Sequence, residues 1–293
     1  MNVRLGANPI IWSNDDLREL GAGITLETCL SEARAVGFEG MELGHKFPRE
    51  PRALGEVLGR FGLKCVSGWH SAELLTWGVR EELERLRPHL ELLEAMGSPV
   101  LVFAEVSQAV HGDLERPLSE RPVLMARDWR ELGSRLTEVA AATAKQGVRL
   151  AYHHHMGTVV QSEADIDALM AATGPEVGLL LDTGHAAFAG ADPAALARRH
   201  AARIVHVHAK DVRSEVVARA SRANWSFLRA VLAGVFTVPG DGAVAFEPVF
   251  AALRDYSGWV VLEAEQDPRR ADPLTYATLG YRNLKRLVSE NVR

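Results

Sequence analysis

Residues 177–210 read VGLLLDTGHAAFAGADPAALARRHAARIVHVHAK. An apolar run, Val177–Leu181, ends at Asp182. An amphipathic segment, Asp192–Ala201, follows, and a second apolar run, Ile204–Val207, ends at His208. Runs that are apolar throughout, rather than alternating, suit strands covered on both faces. Strand, helix, strand in this order predicts a parallel pair.

The unit repeats in both directions. Val3–Ala7, Gly40–Leu43, Leu63–Ser67, Val100–Phe103, Val148–Tyr152 and Trp259–Leu262 complete eight such runs. Leu26–Val36, Arg80–Met96 and Trp129–Gln146 lie between them with helical spacing. Gly37, Gly62, Gly97 and Gly147 each fall just past a helix and before a strand, where a left-handed C-cap is expected. Eight units in 293 residues predict closure into one (β/α)₈ barrel spanning residues 1–293. Two stretches break the rhythm. His111–Pro122 follows the fourth strand. Residues 212–245, with a helix-like run at Ser221–Val231, form an enlarged loop after the seventh, expected over the barrel mouth.

Bulk properties narrow the function. Net charge is −5 and no basic run stands out, which argues against a nucleic-acid partner. No apolar run approaches the length of a membrane span, and the N-terminus does not read as a signal peptide. Two cysteines outside any CxxC pair fit a reducing cytoplasm. There is no HExxH, no GK[ST] after the glycines at 240–242, and no nucleophile elbow.

In a barrel of this kind, polar residues at the C-terminal strand ends carry the chemistry. Four consecutive strands end this way: YHHHMGT, LLLDTGH, HVHAKD and VVLEAEQD. Histidines and carboxylates converging from separate strands, with no thiolate, suit a divalent ion such as Mn²⁺, Co²⁺, Fe²⁺ or Zn²⁺. His153, Asp182, His208 and Glu263 are the candidate ligands. Side chains alternate along a strand, so His155 shares a face with His153, His206 with His208, and Glu265 with Glu263. Spacing does not choose within these pairs. Asp182 taken alone reads more often as a helix N-cap, and His185 is expected to meet substrate. In the N-terminal half, Asn8, Trp12, Glu42, Lys46, His70 and Glu105 are candidate substrate contacts. Polar groups and indole at one mouth fit a polyhydroxylated ligand.

With these residues in view, the chain resembles the xylose-isomerase-like sugar isomerases and epimerases, whose usual ligand order is Glu, Asp, His, Glu. Asp182, His208 and Glu263 match. The fifth strand departs, with His153 where most relatives have Glu. The segments GFEGMELGHKFPR, YHHHMGTVVQ, LLLDTGHAAFAG, VHVHAKDVR, GVFTVPGDG and VVLEAEQDP are similar to the inosose dehydratase family of myo-inositol breakdown, over nearly the whole chain. That resemblance implies loss of water from 2-keto-myo-inositol (scyllo-inosose), a small polyhydroxylated cyclic ketone, to give a trihydroxycyclohexane-1,2-dione. It implies Mn²⁺ or Co²⁺ and an association with glutathione, although no segment here reads as a glutathione site. It leaves room for a homo-oligomer. Glu265 and His155 are then candidate bases, and Lys210 and His185 candidate acids or oxyanion partners. Three other readings fit the same barrel: a ketose epimerase or isomerase, an apurinic endonuclease, and a non-catalytic sugar-binding barrel. The first yields no ultraviolet-absorbing dione, the second needs a basic rim, and the third shows no turnover.

Overall fold

The computed structural model describes residues 2–291. The barrel strands are β1 (Asn2–Ala7), β2 (Gly40–Leu43), β3 (Lys64–Ala72), β4 (Val100–Glu105), β5 (Arg149–His153), β6 (Gly178–Asp182), β7 (Ile204–Ala209) and β10 (Ser257–Leu262). They close in the order β1-β10-β7-β6-β5-β4-β3-β2, every pairing parallel. The expected (β/α)₈ barrel is therefore present. β8 (Asp211–Val212) and β9 (Phe236–Thr237) form a separate antiparallel pair in the loop after β7.

Packing explains the closure. Leucines, valines and phenylalanines from outer strand faces and from the helices make one continuous buried layer between sheet and helix ring. Inside, Val66, Trp259 and Val261 fill one part, and Val100, Val102, Ala151 and Leu180 another. Gly40 admits the bulk of its neighbours: a Cβ there would lie 2.6 Å from a Val66 methyl and 2.9 Å from the Trp259 ring. The four expected C-cap glycines all have positive φ, from 63° to 118°, so the chain reverses cheaply at the bottom of the barrel.

Two expectations are refined. The run Ser221–Val231 is not one helix. Ser214–Arg222 and Phe227–Leu232 are separate, broken where Asn224 takes φ 48° and Ser226 caps the second. β3 extends beyond Ser67 to Ala72 and carries a bulge: Cys65 pairs with Met41 but Gly68 with Leu43. That extra residue re-aims the side chains that follow.

The two enlarged loops pack on each other over the mouth. Pro117 bridges Ser226, Leu118 N donates to Trp225 O, and Ser226 Oγ donates to Leu114 O. Phe227 and Phe236 from the loop after β7 reach the strand ends: Phe227 packs on His155 at 4.9 Å and Phe236 on His185 at 5.1 Å between ring centroids.

Candidate metal centre

β5 and β6 end at the mouth on His153 and Asp182, β7 brings His208 there one residue before its end, and Glu263 follows the last residue of β10. One ligand atom from each of His153, Asp182, His208 and Glu263 lies within 4.8 Å of all the others, and all four residues are buried. Asp182 Oδ2 is 3.5 Å from His153 Nε2 and 3.5 Å from His208 Nδ1. Asp182 serves two purposes at once. Its Oδ1 accepts from His185 N at 2.7 Å, capping the helix Thr183–Phe188, which leaves Oδ2 for the cluster.

The donor set fits a divalent ion. Asp182 Oδ2, His208 Nδ1 and Glu263 Oε2 are buried and make no hydrogen bond, although the last two are in contact. Orphaned buried polar atoms are costly, and three aimed at one point call for a cation. The histidines are oriented for it. His153 Nδ1 lies 2.6 Å from His154 O. The proton of that bond must sit on Nδ1, so Nε2 presents its lone pair. His208 Nε2 meets Glu42 Oε1 at 3.1 Å, which turns Nδ1 toward Asp182 and Glu263.

Glu42 is a hub. It also meets His206 Nε2 at 2.8 Å, accepts from Asn8 Nδ2 at 2.7 Å, and takes the Ser67 hydroxyl. Burial works to raise its carboxyl, but His208 and His206 hold it well below the usual range. Asp182 and Glu263 are likewise held low against burial, the first mainly by Lys210, the second by His208 and Lys210. Against burial, which works to lower it, Glu263 and Glu42 raise His208 well above the usual histidine range; a divalent ion bound there would take the place of that proton.

A second set lies beside the first. Glu265 is pushed up to about 8 by burial, against the pull of Lys210. Lys210 Nζ donates to Glu265 Oε2 at 3.0 Å and meets His185 Nε2 at 3.1 Å. Burial holds His155 and His185 well below the usual histidine range, so both rings are neutral. His155 Nδ1 lies 2.8 Å from Met156 O, which leaves Nε2 as an acceptor. His154 points the other way, as strand parity requires: its Nε2 accepts from Asp182 N at 3.3 Å, and burial pushes it down to about 3.

These groups open on a cavity of about 100 Å³ lined by Asn8, Asp15, Asp16, Glu42, Ser67, Trp69, His153, His155, His208, Glu263 and Glu265, among others. A larger hollow of about 570 Å³ on the opposite face has no converging histidines and carboxylates. Of the six residues of the N-terminal half expected to meet substrate, Asn8 and Glu42 line the cavity and four do not. The β3 bulge turns Trp69 inward and His70 outward, where Nε2 meets Glu82 at 2.6 Å. Lys46 is drawn off by backbone carbonyls, donating to Gly21 O at 2.8 Å and Ala22 O at 3.3 Å as well as to Ile24 O. Glu105 is engaged by Leu74 N and Ser107 N at 2.6 and 2.8 Å. Trp12 is buried, its indole N–H on Glu32. Lys210 and His185 sit one layer behind the cavity wall.

Sequence reasoning passed over Asp15 and Asp16, which reach the cavity from the loop after β1. It also passed over His111, whose ring lies 5.1 Å from that of His155. The acidic pair in NPIIWSNDD was a visible signal. His111 carried none, since it sits in an irregular insertion.

The comparisons with known proteins bear on this geometry. Residues 30–287 match the family model described as a xylose isomerase-like TIM barrel. The chain is 48% identical over 291 residues to the rhizopine catabolism protein MocC of Rhizobium meliloti, covering 99% of this chain and 90% of that one. It is 45% identical over 279 residues to an inosose dehydratase of Geobacillus thermodenitrificans, covering 94% of each. Among solved structures it resembles a probable 3-DHS dehydratase, AsbF, of Bacillus anthracis, with TM-score 0.70, 15% identity, and 96% and 98% of the two chains covered. At that identity the last likeness concerns the fold.

Proposed function

The chain belongs to the xylose isomerase-like TIM barrel family, and from that premise we propose that it is an inosose dehydratase: a metal-dependent hydro-lyase that removes water from 2-keto-myo-inositol. Relatives named inosose dehydratase, at 41–45% identity over at least 94% of the chain, support the reaction. The observation that carries the metal reading is the set of orphaned atoms on Asp182, His208 and Glu263, facing one another beside His153 Nε2.

His153, Asp182, His208 and Glu263 hold the ion, Mn²⁺ or Co²⁺ in this reading. Bound there, it supplies Lewis acidity to the substrate's ketone oxygen. The chain does the rest. Two groups facing the cavity have environments that push their proton affinities apart, which divides their roles. His155, neutral and with Nε2 free, takes the proton from the carbon next to the ketone. Glu265, protonated around neutrality, delivers a proton to the departing hydroxyl. Lys210 and His185 fix Glu265 from behind. Asn8, Asp15, Asp16 and Glu42 offer polar contacts to ring hydroxyls, and Trp69 offers its face to the ring's C–H side. Phe227 and Phe236 keep water from that end of the site.

The cytoplasm is the proposed location; Cys29 and Cys65 are free thiols. Both are buried, so among the described residues glutathione finds no exposed thiol. No helix among the described residues is long and apolar enough to cross a membrane. The test is product identity. Incubation of the Mn²⁺-loaded protein with scyllo-inosose should give a product lighter by one water. A product of unchanged mass would point to epimerisation and reject the proposal.

A further inference from the structure

Behind the proposed metal ligands lies a second group of the same chemistry. His155, His185 and Glu265 each bring a ligand atom within 4.8 Å of the other two, and all are buried. Lys210 Nζ is bound within this group, 3.1 Å from His185 Nε2 and 3.0 Å from Glu265 Oε2. It also meets Glu263 Oε1 at 3.1 Å, while Glu263 Oε2 faces His208 in the first cluster. One carboxylate thus has an oxygen toward each of two centres, the arrangement of a carboxylate that bridges two ions. The lysine is built in. It is fully buried, and its stem lies so close to Gly184 that a Cβ there would come within 2.5 Å of Lys210 Cγ. The Phe236 ring closes the far side, 4.5 Å from Nζ.

We infer that the Lys210 ammonium is a tethered cation seated in a second cation subsite, formed by His155, His185, Glu265 and the outer oxygen of Glu263, and that it holds the centre to a single divalent ion. The inference rests on the metal reading above. An ammonium is a compact point charge with three donors. It balances the Glu263 carboxylate as an ion would and donates to Glu265, but chelators cannot remove it. Two neighbouring divalent ions clamp the attacking and leaving oxygens of a displacement by water. Dehydration needs no such nucleophile. A fixed ammonium in the second seat supplies charge without supplying metal-bound hydroxide, and so favours loss of water over attack by it.

Removing the ammonium exposes two imidazoles and two carboxylate oxygens, a donor set for a first-row divalent ion. The wild type and Lys210→Ala, stripped of metal, reloaded with Mn²⁺ and desalted, would be compared for manganese per chain by mass spectrometry. Electron paramagnetic resonance would read whether neighbouring ions are spin-coupled. The wild type should hold one ion with an uncoupled signal. Lys210→Ala should hold two with a coupled signal, and adding Glu265→Gln should return the count to one. Lys210→Met, which keeps the stem packed on Gly184, carries the same count if the alanine variant does not fold. One ion per chain in a folded Lys210 variant overturns the inference, as do two in the wild type. None in the wild type rejects the metal reading itself, and this inference with it.

Discussion

His208 Nε2 lies 3.1 Å from Glu42 Oε1, an ion pair that spans the barrel mouth from β7 to β2. The contact fixes which nitrogen of His208 faces Asp182 and Glu263, and it makes that nitrogen a stronger donor to a cation. Glu42→Gln keeps the shape and loses the charge. Metal affinity should fall about 10- to 100-fold, read by Mn²⁺ titration, with the fold intact. An unchanged affinity would show that Glu42 does not orient His208.

Asp182 divides its oxygens between a helix cap and the cluster. Asparagine caps about as well as aspartate, so Asp182→Asn separates the two roles. The variant should melt within about 1 kcal/mol of the wild type and yet hold no Mn²⁺ after desalting. Retained metal would remove Asp182 from the ligand set.

Glu265→Gln removes the carboxyl that burial pushes up to about 8 and leaves the four proposed ligands in place. Turnover should fall about 100- to 10,000-fold, the usual weight of a general acid or base, with metal content unchanged. A loss of metal in proportion to activity would make Glu265 a ligand rather than a proton carrier.

Glu105 gives a pH signature remote from the cavity. Burial raises its carboxyl to about 7, against hydrogen bonds from Ser107 and Leu74. A carboxyl raised on folding contributes stability that is complete below its unfolded value, 4.5, and is lost as pH rises through about 7. The loss is on the order of 3 kcal/mol by pH 8. Glu105→Gln should gain on the wild type steadily between pH 5 and pH 8 in urea melts at fixed metal, by roughly that amount. Parallel stability curves would show that Glu105 does not titrate there.

The barrel was legible because parallel strands covered on both faces must be apolar throughout, and Val177–Leu181 and Ile204–Val207 announce this without help. The convergence of His153, Asp182, His208 and Glu263 followed from strand parity once the barrel closed. Parity alone could not rank His153 against His155. That ranking depends on which ring meets Asp182 Oδ2, and both rings point inward. The mouth of the N-terminal half was read less well for two reasons. A bulge in β3 reverses parity between Val66 and Ser67, so Ser67 and Trp69 rather than His70 face the cavity. Lys46 and Glu105 are claimed by backbone groups distant in sequence, a competition invisible to spacing. Lys210 was legible as a charge next to a ligand, but its seat between Glu263, Glu265 and His185 is a tertiary fact.

The central claim is that dehydration depends on an ion held by the four strand-end residues. Protein stripped with chelator and dialysed would be mixed with scyllo-inosose, with and without added Mn²⁺, and absorbance of the enolised dione followed in the ultraviolet. The account predicts no absorbance change without the ion and restored turnover on adding it, with Asp182→Asn silent in both. Equal rates in stripped and reloaded protein would contradict it.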